Sequence, residues 1–386
     1  MKEGWRHKEL GEFAEVIAGQ SPEGSHYNRS GDGLPFYQGK KDFGEKFIRA
    51  PTTWTRRTTK IALEGDILMS VRAPVGPVNF ATQKCCIGRG LAAIRGSKDL
   101  NKDFLFYFLL SKQDEICGSE GAVFASINKR EIERISIAVP SLPEQQRIVA
   151  LLDEAFDGIA TAKANAEKNL KNARELFESH LQAVFTQRGE GWENHTLVSI
   201  CSLFVDSAHR TPKYQENGIP ALRPRDVANG ELNLAGAALV SQEEYEIQAK
   251  RHKPSTGDIV YSRELSFGWA ALLPKSPRVC LSQGMCLFRP SPNVDSALLL
   301  YVLNGPIGRE QAKRVAVGTA HPHINLGDIK SYQIPLPPFE EQRRLSQSLD
   351  AIAAETQRLE AIYQQKLAAL DELKKSMLHK AFNGEL

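Results

Sequence analysis

Gln38, Lys40 and Lys41 follow a Gly-x-Pro turn at Gly33–Pro35, and Arg223 and Arg225 follow a second such turn at Gly218–Pro220. Arg72 stands beside Ser70 and Arg263 beside Ser262, and Lys84 and Arg89 follow in the first half of the chain. These residue types suit recognition. Arg pairs bidentately with guanine and Gln with adenine on the exposed edges of bases, while Lys and Arg displace counterions from phosphates. For Arg72 and Arg263 an ion pair inside their own domain is an equally good reading.

The local charge supports the same chemistry. Between residues 35 and 95 there are eleven Lys/Arg against four Asp/Glu, and between 250 and 290 seven against two. The whole chain carries only +3, so two basic segments are offset by acidic residues elsewhere and the total alone does not announce a polyanionic partner. An ordinary solvated surface is the competing reading for either segment taken alone. With 386 residues, 41% hydrophobic and 25% charged, the chain is long enough for two or more domains with buried cores. No run approaches the apolar length of a membrane span, so no membrane partner is expected, and the start, MKEGWRHKEL, has no signal-peptide core. The six cysteines show no C-x-x-C spacing. Free thiols in a reducing cytoplasm are therefore expected, with neither a disulfide framework nor a zinc site.

The elements that must position these residues come twice. Shifting the sequence by 197 lays 127–185 on 324–382 without a gap, with 17 identities in 59 positions. The matches include Ile127-Asn128 with Ile324-Asn325, Pro140 with Pro337, Glu144-Gln145 with Glu341-Gln342 and Leu152-Asp153 with Leu349-Asp350. Upstream, GDILMSVRAPVG (Gly65–Gly76) parallels GDIVYSRELSFG (Gly257–Gly268). Ile148, Leu152, Ile159, Leu170, Phe177 and Leu181 recur at helical steps, as do Leu345, Leu349, Ile352, Leu359, Leu367 and Leu370. Each run predicts a helix of about 44 residues, roughly 66 Å long. A helix of that length needs a partner along its course, and the other copy is the obvious one. The two pair as an antiparallel coiled coil if the halves are related by a pseudo-two-fold axis. Ser141 and Glu144 fit a capping box at the first helix start, whereas Pro338 replaces Ser141 in the second copy. DILMSV, GLAAIR, DIVYSR and MCLFRP read as strands, and 103–111 and 296–305 as helices or buried strands. The fold class is therefore α+β: two globular mixed α/β domains (1–143 and 188–340) separated by two long helices (144–187 and 341–386).

Order and motifs together resemble the DNA-specificity (S) subunit of Type I restriction–modification systems. The doubled GDI strand, the doubled Ile-Asn before a Pro…Glu-Gln helix start, and the terminal KAFNGEL (Lys380–Leu386) carry the resemblance over essentially the whole chain. It implies two target-recognition domains, each reading one half of a bipartite double-stranded DNA sequence. The coiled coil would be the spacer that docks two methyltransferase subunits, with restriction/translocase subunits joining them. S-adenosylmethionine, ATP and magnesium would then belong to those partners, with no cofactor in this chain. The resemblance also turns the loop before Ile-Asn towards DNA, bringing in Ser126 from the first copy and Thr319, His321 and His323 from the second. The two histidines have no acidic or Cys neighbour that would favour a metal. The alternatives are an adenine methyltransferase fused to its reader and a coiled-coil scaffold that does not bind DNA. Against the first, the nearest match to an Asp/Asn-Pro-Pro-aromatic motif is LPPF (Leu336–Phe339), and Leu336 cannot accept from a target amine. No phosphate-binding G-x-x-x-x-G-K-S/T run is present either, so catalysis is expected from the partners.

Overall fold

The computed structural model describes residues 5–116, 126–208, 210–228, 230–275 and 278–386. The chain forms two units, one made of the residues up to Glu167 together with Gln364–Leu386, the other of Lys168–Tyr363. Each unit thus holds one globular part and a length of both long helices, Leu142–Thr186 and Phe339–Phe382.

In the first unit a four-stranded antiparallel sheet, ordered Ala14–Ala18, Leu91–Gly96, Ile67–Ser70, Val78–Phe80, is the middle layer. Ile67, Met69, Ala92 and Ile94 join one core with Phe104, Leu105 and Phe108 of the helix Lys102–Ser111. Leu68, Leu91 and Ala93 join another with Tyr37, Cys85 and Ile87 of a five-stranded mixed sheet. Side chains alternate along a strand, so a strand covered on both faces must be apolar throughout. This is why DILMSV shows no polar alternation. The second unit repeats the layers. Its sheet runs Cys201–Asp206, Met285–Pro290, Ile259–Ser262, Ala270–Leu272. Ile259, Tyr261 and Phe288 face the helix Ser296–Asn304, and Val260, Met285 and Leu287 face Leu222 and Leu281 of a second mixed sheet. All four strand expectations hold, and the two ambiguous apolar runs are helices. An antiparallel strand pair (Val227–Ala228 with Glu231–Leu232) and the helix Gln242–Gln248 have no counterpart among the described residues of the first unit.

The repeated Glu-Gln does more than begin a helix. Gln145 is fully buried; its Nε2 donates to the carbonyls of Pro140 and Asp99, both at 3.0 Å, and its Oε1 accepts from the Asn101 N–H at 2.7 Å. Gln342 donates to Pro337 O (2.9 Å) and Asn293 O (3.4 Å) and accepts from the Asp295 N–H (2.9 Å). Asn101 and Asp295 are the N-caps of the two short apolar helices. One buried amide therefore ties the start of a long helix to the start of a short one, in each unit alike. About two turns further on, Asp153 accepts from the Tyr107 hydroxyl and Asp350 from that of Tyr301. Burial first, and then the carboxylate, push both phenol pKa values up. The capping box expected at Ser141 does not form: among the described residues its hydroxyl accepts no backbone N–H, and Glu144 binds Arg147 instead. Glu341 and Arg344 repeat that pair, so the two helix starts are more alike than Ser141 against Pro338 suggests.

The twelve periodic helix positions are all buried or half-buried, but in different settings. Ile148 and Leu152 belong to the core of the first unit, with Leu378 and Ala381 from the end of the second long helix. Leu181 and Leu349 belong to the core of the second, where Phe177 and Leu345 pack at its edge. Ile159 is buried, and Leu170, Ile352, Leu359, Leu367 and Leu370 are half-buried. Within the first unit the helices run antiparallel. Arg147 donates to Leu386 O at 2.8 Å, and further along Lys163 pairs with Asp371 at 2.7 Å. Within the second, Arg174 pairs with Glu360 at 2.8 Å.

Gln145→Ala strands a backbone N–H and two carbonyls in a buried site. The expected loss is about 2 kcal/mol in the stability of the first unit, read by urea unfolding of the whole chain. Gln342→Ala is expected to act equally on the second.

Candidate nucleic-acid interface

Three loops at the carboxyl ends of strands meet in the first unit. Gln38–Lys40 follow Leu34–Tyr37, Arg72 follows Ile67–Ser70, and Arg89 follows Cys85–Ile87. They surround an open cleft of about 230 Å³ lined by Gln38, Gly39, Lys40, Ser70, Arg72, Ala73, Arg89 and Gly90. Close backbone approach makes it. A Cβ on Gly90 would lie 2.3 Å from Gln38 O, so only glycine lets this loop press against the Gln38 strand end. Gly88 N–H donates to Tyr37 O (2.8 Å) and Val71 N–H to Gly90 O (3.0 Å), locking the loops together. The Ser70 hydroxyl donates to Arg72 O at 3.1 Å, and Arg72 forms a bridge with Ser126.

Four of the side chains singled out in sequence, Gln38, Lys40, Arg72 and Arg89, thus share one cleft, with Ser126 against its rim. Lys41 is exposed on the short helical turn Lys40–Asp42. Lys84 is exposed too, but it precedes Cys85–Ile87 and so stands at the opposite end of that strand from Arg89. Among the described residues Lys40, Lys41, Arg72 and Arg89 form no ion pair, whereas Arg95 is taken by Asp66 (2.7 Å) and Glu15 (3.2 Å). Residues 121–125 of the loop before Ile127 lie outside the described residues.

The second unit carries the same hydrogen-bond frame. Ser282 N–H donates to Leu222 O (2.8 Å), Arg263 N–H to Gly284 O (2.8 Å), Gly268 N–H to Ser262 O (2.8 Å) and Ile324 N–H to Arg263 O (2.9 Å). Each has its twin in the first: Gly88 to Tyr37, Val71 to Gly90, Gly76 to Ser70 and Ile127 to Val71. Arg72 and Arg263, which stand alike beside Ser70 and Ser262 in the sequence, are thus not counterparts: Arg263 takes the place of Val71, and Glu264 that of Arg72. The Ser262 hydroxyl donates to Glu264 O at 3.2 Å, as Ser70 does to Arg72 O, and Glu264 bridges to His323 as Arg72 does to Ser126.

The charges are spent differently here. The Arg263 guanidinium is turned inward onto Asp206, the two side chains being 14% and 11% exposed. Of the two readings left open for this residue, the internal ion pair is the one adopted, and the reading of Arg263 as a base contact is set aside. Arg223 donates to both oxygens of Asp226 at 2.9 Å and to Gly236 O at 2.8 Å. The Asp226 hydrogen bond raises its pKa above the usual guanidinium value. Arg223 therefore braces its loop, while Arg225, two residues on, is exposed and unpaired among the described residues. Thr319 and His321 are exposed on the loop that also carries half-buried His323, whose Nδ1 lies 3.4 Å from His321 O. Glu264 and Gln283, at the positions of Arg72 and Arg89, are functional candidates that residue type alone does not single out. The ungapped pairing of GDILMSVR with GDIVYSRE already sets Glu264 opposite Arg72.

A family model, the Type I restriction modification DNA specificity domain, matches the chain twice, over residues 2–172 and 189–368. The putative type I restriction enzyme MjaX specificity subunit of Methanocaldococcus jannaschii is 41% identical over 177 residues, which are 45% of this chain and 41% of that relative. The Type I restriction enzyme EcoBI specificity subunit of Escherichia coli is 21% identical across 99% of this chain and 86% of its own. Among solved structures, a chain of a type I R-M system superposes with a TM-score of 0.82 at 21% identity, covering 100% of this chain and 99% of that one. The HsdS subunit from Thermoanaerobacter tengcongensis does so with 0.65 at 21%, covering 100% and 98%. At such identities the likeness is one of fold.

Arg263→Ala leaves the Asp206 carboxylate without its guanidinium partner in a nearly closed site. It is expected to destabilise the second unit by about 3 kcal/mol, measurable by chemical unfolding.

Proposed function

This chain belongs to the Type I restriction modification DNA specificity family, and on that premise we propose that it is the sequence-reading subunit of a Type I restriction–modification complex. Each of its two domains reads one half of a bipartite target in double-stranded DNA. The observation that carries this reading is the cleft where Gln38, Lys40, Arg72 and Arg89 converge with no ion pair among the described residues. A cation already matched by a carboxylate has little to offer a phosphate or a base; these three cations are unspent, and Gln38 adds a side chain able to donate and accept in one plane. Arg225, Thr319 and His321 supply the corresponding exposed groups of the second domain.

The long helices serve as the spacer and as the docking site for two methyltransferase subunits, with restriction/translocase subunits joining that core. Exposed apolar side chains support this: Leu151 and Leu176 on the first helix, Ile362 and Leu373 on the second. Phe156 is not among them, because it packs against Tyr107 and beneath the Lys374 ammonium. The chain itself is a non-catalytic reader. Methyl donor, nucleotide and magnesium are handled by the partners. Among the described residues no helix is long and apolar enough to cross a membrane.

Co-expression with the cognate methyltransferase subunit, followed by single-molecule sequencing of host DNA, is expected to return a bipartite methylated motif; methylation with no such motif would overturn the reading. Replacing residues 33–95 by the same segment of another family member is expected to change one half of that motif and leave the other intact. In salt titrations of DNA binding by the complex, Lys41→Gln and Arg89→Gln are each expected to flatten the slope of log K against log salt by roughly 0.9 for each phosphate that the variant no longer neutralises.

A further inference from the structure

The frame of hydrogen bonds around Ser70 and Ser262 is the same, so the side chains two residues on occupy one position in two domains. In the first domain that position holds Arg72, in the second Glu264. The exchange inverts both charge and hydrogen-bonding sense: a guanidinium only donates, and a carboxylate only accepts. Glu264 is half-buried, and its carboxylate makes no hydrogen bond or ion pair among the described residues. It lies over the glycine that shapes the loop contact. A Cβ placed on Gly284 would fall 2.9 Å from Glu264 Oε2 and 2.9 Å from Pro224 Cγ. The carboxylate is thus held where the loops after Leu222, Ser262 and Leu281 meet, the counterpart of the cleft that Arg72 lines. Of the guanidiniums on these loops, Arg263 is engaged with Asp206 and Arg223 with Asp226, while Arg225 is exposed and forms no ion pair among the described residues.

An unpaired carboxylate facing a polyanion is unfavourable unless it meets a donor. In the major groove the donors are the exocyclic amines of cytosine (N4) and adenine (N6), whereas guanine O6 and N7 and thymine O4 are acceptors. Resting on the proposed function, we infer that Glu264 is a specificity-determining residue of the second domain, accepting a hydrogen bond from the amino group of a cytosine or adenine. It also excludes guanine and thymine from that place by acceptor–acceptor repulsion. Arg72, in the same position of the first domain, presents donors and so selects an acceptor such as guanine O6 or N7. Gln283, exposed at the place of Arg89, is the adjoining group able to reach the same base pair or its neighbour. One scaffold thereby reads two unlike half-sites through a donor-to-acceptor exchange at a single position.

The test uses the complex of the full chain with its methyltransferase subunit and sequencing of the methylated motif, for the wild type, Glu264→Ala and Glu264→Arg. The wild type comes first: if it yields no bipartite motif, the proposed function itself fails and this role falls with it. Given a bipartite motif, both variants are expected to lose preference for one amino-bearing base of one half-site by about tenfold or more. The other half-site stays as it was. Because the carboxylate has no partner among the described residues, Glu264→Ala is expected to keep the wild-type melting temperature, and it decides the matter if the arginine variant folds poorly. An unaltered motif in a folded Glu264→Ala complex overturns the inference. So does a loss of preference spread over both half-sites.

Discussion

A buried carboxamide must have both its donors and its acceptor met, and in each domain one glutamine meets them on two separate stretches of backbone. Gln145 binds the residues just before its own helix and those just before the helix Lys102–Ser111, and Gln342 does the same before Ser296–Asn304. An amide that loses one of these partners in the interior is left with an unsatisfied group, so the two helix starts are held in one geometry. The short helix in turn covers one face of the central sheet. The sheet sets where its strands end, and the strand ends set where the recognition loops begin. The tie by Asp153 to Tyr107 and by Asp350 to Tyr301 repeats the constraint two turns along. The spacer helices are therefore part of each domain's core as well as its extension.

The rest of the polar chemistry sorts into charges that hold the fold and charges left to face outward. The aspartate of each GDI motif is nearly or fully buried and pairs with an arginine of the neighbouring strand, Asp66 with Arg95 and Asp258 with Arg289. Each also accepts the N–H of the turn before it, from Leu63 and from Ser255. A buried acid left alone would be costly; paired and hydrogen-bonded, it locks the turn to the sheet. The second domain commits further arginines in this way, among them Arg263, Arg223 and Arg210, the last to Glu244. The first leaves Lys40, Arg72 and Arg89 uncommitted. The excess of positive charge between residues 35 and 95 thus becomes an electrostatic surface, while much of that between 250 and 290 becomes internal bracing. This difference is invisible to any count of charged residues.

What the sequence by itself determined was the plan: two copies of one layered domain, each followed by a helix of more than forty residues. Periodicity and repetition are local or self-referential signals. A strand apolar on both faces, a helix with recurring leucines, and a shift that aligns Pro140 with Pro337 need no knowledge of what lies across space. The convergence of Gln38, Lys40, Arg72 and Arg89 was not legible in the same way, because only Arg72 follows a strand that the hydrophobic pattern marked, while the short strands Leu34–Tyr37 and Cys85–Ile87 did not stand out. Only the tertiary structure decided what each polar side chain meets. Ser141 had the right spacing for a cap, yet its neighbour Glu144 goes to Arg147. Arg263 was open to either reading, a base contact or an internal ion pair, and it turns inward because Asp206 ends the strand next to Met285–Pro290 and lies there as its partner. Glu264 looked unremarkable and stands at the place that Arg72 takes in the first domain. Burying a charge favours whichever opposite charge the fold brings within bonding distance, and that distance belongs to the packed sheet and not to the order of residues along the chain.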